Sequence, residues 1–179
     1  MNIRFSGFGG QGIVLAGFIL GNAAVIDGKN SIQTQSYGSE ARGGACRSDV
    51  IISKQDINEL SPPDIDVLVS MSHSAFEKYF PSLKKKGTLV IDTDLVFPEK
   101  VDKLKCFGIP ATDIAFKKFG RKIIGNMVMI GYVTAITDII SKKAARESIK
   151  NNVPKGTEAL NLKAFEEGYK LGLKEVKRK

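Results

Sequence analysis

Apolar runs alternate along the chain with polar, glycine-containing segments. Residues 66–71 and 88–92 are short continuous apolar runs, which are typical of strands covered on both faces, whereas residues 13–26 form an apolar run of helical length. Further strands are predicted at residues 2–6, 29–35, 46–53 and 106–109, and further helices from Ser74, at 111–118, at 124–140 and along an apolar stripe from Leu162 to Val176. Buried strands that alternate with helices predict a three-layer α/β/α, Rossmann-like domain, which we expect to span residues 1–179 as a single unit.

The link between the second and third predicted strands determines their relative direction. Residues 37–45 are nine positions long, and a parallel crossover usually needs about a dozen residues or more. We therefore expect the third strand to run antiparallel to the second, so that the sheet is mixed but mainly parallel.

Charge is distributed unevenly along the chain. The net charge is +8, but residues 142–179 hold 11 basic and 5 acidic residues and so account for most of the excess. With 42% hydrophobic and 26% charged residues, the composition is that of a folded globular protein. A nucleic-acid surface that extends over the whole chain is therefore not indicated.

Few residues are available for metal binding or for nucleophilic catalysis. Cys46 and Cys106 lie far apart with no CxxC motif, which excludes a disulfide framework and an iron–sulfur or zinc site built by this chain alone. The single histidine, His73, is expected at a helix start, with Ser72 or Ser74 as the N-cap. The apolar stretch 123–140 contains polar residues and is interpreted as a buried helix, so we expect a reduced, cytoplasmic protein that does not bind a membrane.

The segment 7–12 fits the GxGxxG pattern, directly after a predicted strand and at the start of a helix. Glycines permit positive φ angles, and the exposed N–H groups at a helix start attract anions. The acid that would bind a ribose in a dinucleotide site is absent, because Gln35 and Ser36 occupy its place. Three interpretations stay open: a dinucleotide site, tight packing without a ligand, and a loop that offers backbone donors to a phosphate or to a partner protein.

A second glycine segment, 37–44, follows the second predicted strand. If the first two strands are parallel, this segment and the first glycine loop lie at the same edge of the sheet. Arg42 could bind a carboxylate or a phosphate through two parallel hydrogen bonds. The alternative is a surface ion pair between Glu40 and Arg42, which does not explain the glycines that flank it.

The two loops together carry a family resemblance. FGGQG at residues 8–12, with TQSYGSEARGG at 34–44, resembles the gamma subunit of 2-oxoacid:ferredoxin oxidoreductases. Phe8 stands where the pyruvate enzymes tend to carry Arg, so the resemblance is strongest to the 2-oxoglutarate (2-ketoglutarate) enzymes. The match continues in order, with ordinary spacing, through residues 63–69, 109–112, 125–129 and 161–165.

This resemblance implies a subunit of an oxidoreductase that acts on an oxo group, with ferredoxin as the acceptor. Such enzymes decarboxylate a 2-oxoacid on thiamine diphosphate, pass electrons through [4Fe–4S] clusters and release acyl-CoA. Thiamine diphosphate and Mg²⁺ are expected on alpha and beta subunits and the clusters on a delta subunit. This gamma chain would hold no cofactor alone and would bind neither nucleic acid nor a membrane. Alternatives are a gamma subunit of a pyruvate or 2-oxoisovalerate enzyme, a stand-alone nucleotide-binding module and a basic RNA-binding domain.

The resemblance also implies a positional role at the two glycine loops, with no catalytic residue and no metal ligand. The two loops would border a pocket from which water is excluded. Asn126 is expected to cap the helix that follows it. The residues expected near CoA or facing other subunits are Gly9, Gly10, Gln11, Gly12, Arg42, Gly43 and Gly44, with Tyr37, Glu40 and Asn126 as subunit contacts.

Overall fold

The computed structural model describes residues 1–36, 45–60, 63–99, 101 and 104–177. Six strands form one sheet: β1 (Asn2–Phe8), β2 (Asn30–Ser36), β3 (Ala45–Ser53), β4 (Ile65–Ser70), β5 (Leu83–Asp92) and β6 (Lys105–Ile109). The α-helices are α1 (Ile13–Ile26), α2 (His73–Tyr79), α3 (Ala111–Phe119), α4 (Gly125–Thr137), α5 (Lys142–Asn152) and α6 (Glu158–Val176), with short 3₁₀ turns at Phe80–Ser82 and Lys122–Ile124.

The strand order is β2-β3-β1-β4-β5-β6. β3 runs antiparallel to both of its neighbours, β2 and β1, whereas the β1–β4, β4–β5 and β5–β6 pairs are parallel. The predicted mixed, mainly parallel sheet and the antiparallel third strand are therefore confirmed. β1 and β2 are both antiparallel to β3, so they point the same way, and their last residues lie at one edge, which we call the C-terminal edge.

Helices cover both faces of the sheet. Along β4, Val67 and Val69 belong to the larger core together with side chains of α1 and α4, while Leu68 belongs to a smaller core that contains Phe76 of α2. Successive side chains of a strand point to opposite faces, so a strand buried on both sides reads as a continuous apolar run. The predicted three-layer α/β/α architecture is confirmed.

α4 is buried along most of its length, as its apolar sequence predicts. It packs against α6, and the two backbones approach so closely that a Cβ built on Gly168 of α6 would lie 1.8 Å from the Val128 carbonyl oxygen. No helix among the described residues has both the length and the apolar content that crossing a bilayer requires.

The end of α4 and the helix after it differ from the prediction. α4 stops at Thr137 rather than at Ile140 because Asp138 takes a left-handed conformation with φ 51°. α5 was not predicted at all. Its N-cap is Ser141, whose Oγ accepts a hydrogen bond from Ala144 N at 3.0 Å, while Asp27 accepts bonds from the Ser141 backbone and hydroxyl.

One ion pair is buried between β1 and β3. Arg4 pairs in register with Asp49, and its Nη2 donates to Asp49 Oδ2 at 3.1 Å. The guanidinium also donates to Ser82 Oγ at 2.8 Å, and both charged residues are almost fully buried. A buried pair of this kind contributes little net stability, but the removal of one partner leaves the other charge uncompensated.

Candidate functional site

The loop between β1 and α1 contains two glycines that a side chain would strain. Gly10 has φ 99° and Gly12 has φ 72°, both in the left-handed region. A Cβ on Gly12 would also lie 2.2 Å from Asn126 Nδ2 of α4, whereas a Cβ on Gly9 or Gly10 would meet no atom within 4 Å. Gly12 is therefore packed against the protein, and the backbone of Gly9 and Gly10 faces open space.

Gln11 holds this loop in place through two side-chain hydrogen bonds on its buried side, and we call the loop so held the braced loop. Its Oε1 accepts a hydrogen bond from Phe8 N at 2.9 Å, and its Nε2 donates to Met71 O at 2.6 Å. Met71 follows β4, and its own N donates to Ser6 O of β1 at 2.8 Å. Gln11 is only 8% exposed, so its amide ties the glycine loop to two parallel strands. Its predicted contact with CoA or with a subunit stays a prediction.

Asn126 does not cap its helix, so this expectation is wrong. The N-cap of α4 is Ile124, and Asn126 lies inside the first turn. The Asn126 Nδ2 instead donates to Gly12 O at 3.2 Å, a second brace on the glycine loop. Its Oδ1 is buried without a hydrogen-bond partner, and the residue is 3% exposed. The predicted role of Asn126 as a subunit contact stays a prediction.

Two clefts lie on either side of the braced loop and share Gly10 and Ile123. The larger cleft has a volume of about 800 Å³ and runs along the start of α1 towards β2; its walls include Val14, Phe18 and Gln35. The smaller cleft, of about 300 Å³, lies on the other side and includes Phe8, Leu95 and Lys122.

Both clefts have largely apolar walls, and large apolar side chains stay exposed around them. Phe8, Phe18 and Ile123 are each at least 40% exposed. Exposed apolar groups that cluster around a concave surface are typical of a binding site or of a contact with another protein.

The second glycine segment, which contains Tyr37, Glu40, Arg42, Gly43 and Gly44, lies outside the described residues. The strands that flank it are described. Ser36 of β2 and Ser6 of β1 both pair with Arg47 of β3, and Ala45 pairs with Phe8. The described residues on either side of this segment, Ser36 and Ala45, therefore both lie at the C-terminal edge, beside the first glycine loop. The predicted roles of these five residues stay predictions.

At the end of β2, where a dinucleotide-binding fold carries the acid that binds a ribose, this chain has Gln35 and Ser36, as the sequence indicates. Gln35 and Ser36 end β2, both are exposed, and Gln35 lines the larger cleft. Neither side chain can act as the carboxylate acceptor that a dinucleotide ribose requires. A dinucleotide site is the interpretation that this edge supports least.

Neither cysteine forms a disulfide. Cys46 lies on the floor of the larger cleft, and burial raises the pKa of its thiol, so it is protonated near neutral pH. Within the described part of the chain, no three His, Cys, Asp or Glu side chains are grouped as a metal site would require.

His73 begins α2, as predicted, and Ser72 is the N-cap: its Oγ accepts from Ala75 N at 3.4 Å. His73 Nδ1 accepts a hydrogen bond from Phe97 N at 3.4 Å, and its ring packs near Phe76 and Phe97. These contacts give His73 a structural role at the start of a helix.

Asp92 was not among the predicted site residues. It ends β5 at the C-terminal edge, is fully buried, and accepts hydrogen bonds from Thr112 N and Thr112 Oγ1 at 2.9 and 2.5 Å. Burial raises the pKa of this carboxyl, and the bonds from Thr112 oppose that rise only in part. The available sequence signal was an acid at the end of a buried strand. Its carboxylate fixes the start of α3 beside the smaller cleft.

Comparison with known proteins agrees with this architecture. A family model described as pyruvate ferredoxin/flavodoxin oxidoreductase matches residues 2–171. The 2-oxoglutarate synthase subunit KorC of Methanothermobacter marburgensis is 47% identical over 176 residues, which cover 94% of this chain and 95% of that relative. The pyruvate synthase subunit PorC of the same organism is 32% identical, over 86% of this chain and 87% of that relative.

A solved structure shows the same fold. The gamma subunit of a keto/oxoacid ferredoxin oxidoreductase from Geobacter sulfurreducens PCA superposes with a TM-score of 0.86 at 40% identity, and the match covers 97% of this chain and 98% of that one. The resemblance to gamma subunits is thereby confirmed. With residues 2–171 matched and close similarity over nearly its whole length, the chain belongs to the pyruvate ferredoxin/flavodoxin oxidoreductase family.

Proposed function

We propose that this chain is the gamma subunit of a 2-oxoglutarate:ferredoxin oxidoreductase and works in the cytoplasm with alpha, beta and delta subunits. The complex would convert 2-oxoglutarate, CoA and two oxidised ferredoxins into succinyl-CoA, CO₂, two reduced ferredoxins and a proton. The observation that carries the proposal is the 47% identity to a 2-oxoglutarate synthase subunit, against 32% to a pyruvate synthase subunit. Thiamine diphosphate, Mg²⁺ and [4Fe–4S] clusters would be held by the other subunits.

The part of this chain that serves the complex is the braced glycine loop at the C-terminal edge. Gln11 and Asn126 hold the loop from inside, so its outer backbone keeps one geometry without help from a partner. The open space over Gly9 and Gly10 permits a close approach by another backbone or by a phosphate. Such preorganisation lowers the entropic cost of forming a bound complex.

The residues at this edge fit CoA in two respects. The first N–H groups of α1 have no partner within the helix and lie at the larger cleft, and Lys122 adds a positive charge to the smaller cleft, so each cleft has a group that favours phosphate. The apolar walls of the two clefts suit the uncharged arm that joins the phosphates to the thiol. When bound, CoA supplies the thiol that accepts the acyl group. This chain would position that arm and exclude water.

The first test is the composition and activity of the purified complex. A tag on this chain should recover three other polypeptides from source cells, and the preparation should reduce ferredoxin only when 2-oxoglutarate and CoA are both present. The isolated chain should be inactive. Recovery of this chain alone, or activity with pyruvate that exceeds activity with 2-oxoglutarate, would contradict the proposal.

A second test addresses the glycine loop. Gly10→Ala places a side chain at φ 99°, and Gly28→Ala does the same at φ 74° in the turn after α1; neither Cβ would meet another atom. Both substitutions therefore place a side chain at positive φ, which costs about 1–2 kcal/mol. Gly10→Ala, and Arg42→Ala in the second glycine segment, should raise the KM for CoA or lower the yield of assembled complex several-fold, whereas Gly28→Ala should change neither. Unchanged values for both Gly10→Ala and Arg42→Ala would remove this role.

A further inference from the structure

β2 lies at one edge of the six-stranded sheet. Among the described strands it pairs only with β3, in a continuous register from Asn30 to Ser36. Its seven residues, NSIQTQS, contain no charge and no proline. Edge strands of soluble proteins are usually protected by lysine, proline or a bulge, since an unprotected edge accepts another strand. β2 has none of these protections.

α1 exposes apolar side chains directly beside this edge. Gln33, at the middle of β2, donates from Nε2 to Val14 O at 3.0 Å, and a Cβ on Gly21 would lie 3.1 Å from Ser31 Oγ, so the helix runs along the strand. Phe18 is 46% exposed and Val25 is 54% exposed. We call Phe18, Val25 and the outer edge of β2 the α1–β2 strip.

This part of the chain carries almost no charge. Between Ile13 and Ser36 the charged residues are Asp27 and Lys29, and both are bonded within the chain. Asp27 accepts hydrogen bonds from Ser141, and the Lys29 ammonium donates to the Ile139 carbonyl. The strip is therefore neutral in a protein whose net charge is +8.

The strand and the helix also match in length. Seven strand residues extend about 24 Å and 14 helical residues about 21 Å, so one partner can cover both along their whole length. We propose that a second copy of this chain binds the α1–β2 strip, with the two β2 strands antiparallel across a two-fold axis. The two six-stranded sheets would then form one continuous sheet, with both α1 helices on the same face.

Symmetry brings matching groups together in this arrangement. With the axis at the middle of β2, Gln33 of one copy lies opposite Gln33 of the other, and Phe18, which follows the turn of α1 held by Gln33, meets its own counterpart. A single strand from an unrelated polypeptide would bond to the edge but would leave Phe18 and Val25 exposed. Two copies with a net charge of +8 also repel each other least where both surfaces are neutral.

The oligomeric state of the full chain tests the proposal. Light scattering after gel filtration should show a mass that approaches twice 19.4 kDa as concentration rises through the micromolar range. Phe18→Lys on α1 and Thr34→Lys on β2 should each weaken the dimer at least tenfold. Phe97→Lys is the matched control, because Phe97 is 64% exposed but packs near His73 of α2, away from the strip.

Circular dichroism would establish that each variant is folded. If a lysine variant does not fold, a cross-linking variant tests the same contact. Phe18→Cys should form an intermolecular disulfide on oxidation, whereas the wild-type chain, with Cys46 and Cys106, should not. A monomer at all concentrations, a dimer that resists both lysine variants, or equal loss in the Phe97→Lys control would overturn the proposal. None of these measurements depends on catalytic activity. Phe18 also lines the larger cleft and Thr34 does not, so Thr34→Lys is the variant that separates a failure of the dimer from a failure of the proposed function.

Discussion

The two hydrogen bonds of Gln11 are the most direct test of how the glycine loop keeps its shape. Gln11→Ala removes the acceptor of Phe8 N and the donor to Met71 O without adding any new atom to the loop. Each bond contributes about 1 kcal/mol net, and a buried carbonyl left without a donor costs about 1–3 kcal/mol more. We therefore expect Gln11→Ala to lower the free energy of unfolding by about 3–5 kcal/mol.

Urea unfolding followed by far-ultraviolet circular dichroism measures this loss directly, and the chain has no tryptophan that would report it by fluorescence. The corresponding fall in Tm is roughly 6–20 °C for a chain of this size. Gln35→Ala is the matched control, because Gln35 is an exposed glutamine at the same edge and its truncation should change stability by less than about 0.5 kcal/mol. Gln11→Glu should not rescue stability, since an ionised carboxylate cannot donate to Met71 O.

The reasoning fails if Gln11→Ala and Gln35→Ala have equal stability. That result would mean that the loop keeps its geometry through its glycines and through Asn126 alone. Hydrogen exchange at the loop amides would separate this outcome from a local opening, because the loss of the brace should speed exchange there before global stability changes.

Three further variants test other parts of the structure. Asp49→Ala should cost about 3–5 kcal/mol in urea unfolding because it leaves the Arg4 guanidinium buried without a counter-charge, and a loss below 1 kcal/mol would argue against the buried pair. Gly168→Ala should lower stability by at least about 2 kcal/mol, since its Cβ would lie 1.8 Å from a backbone oxygen of α4 and the two helices must separate; an unchanged Tm would contradict this close crossing. For Asp92, burial raises the carboxyl pKa in the folded state, so the folded protein holds this proton more tightly than the unfolded chain does. The stability of the wild type relative to Asp92→Asn should therefore be greatest below the unfolded pKa of about 3.9. It should fall as pH rises from there through the higher pKa of the folded state. A stability difference that rises with pH would instead mean that folding lowers the pKa of this carboxyl.

Local sequence signals predicted most of the layered fold. The strands at β4 and β5 are continuous apolar runs, and the short link after β2 was enough to predict an antiparallel β3. α5 was missed because most of its residues are polar, and Ile149 is the one large apolar side chain among its buried residues. Its N-cap, Ser141, also bonds to Asp27, 114 positions away, and a contact of that separation leaves no local pattern.

The predicted roles of the site residues stay predictions, but part of the geometry of the first glycine loop followed from its sequence. The glycine pattern indicated a loop that presents its backbone, and the structure shows Gly9 and Gly10 open to solvent. The roles of Gln11 and Asn126 as internal braces were not predicted, because their partners, Met71 and Gly12, lie 60 and 114 positions away along the chain. Sequence spacing identifies which residues are available at a loop but not which of them face inward.

By itself, the sequence determined the fold class, the mixed sheet and the family, because hydrophobic periodicity, loop length and loop motifs are local properties of the chain. Only the tertiary structure decided which polar groups hold the glycine loop, where the two clefts lie, and that a neutral strand edge and an apolar helix face share one surface. These features come from contacts between residues that are distant in sequence, and such contacts form only when the strands and helices pack together.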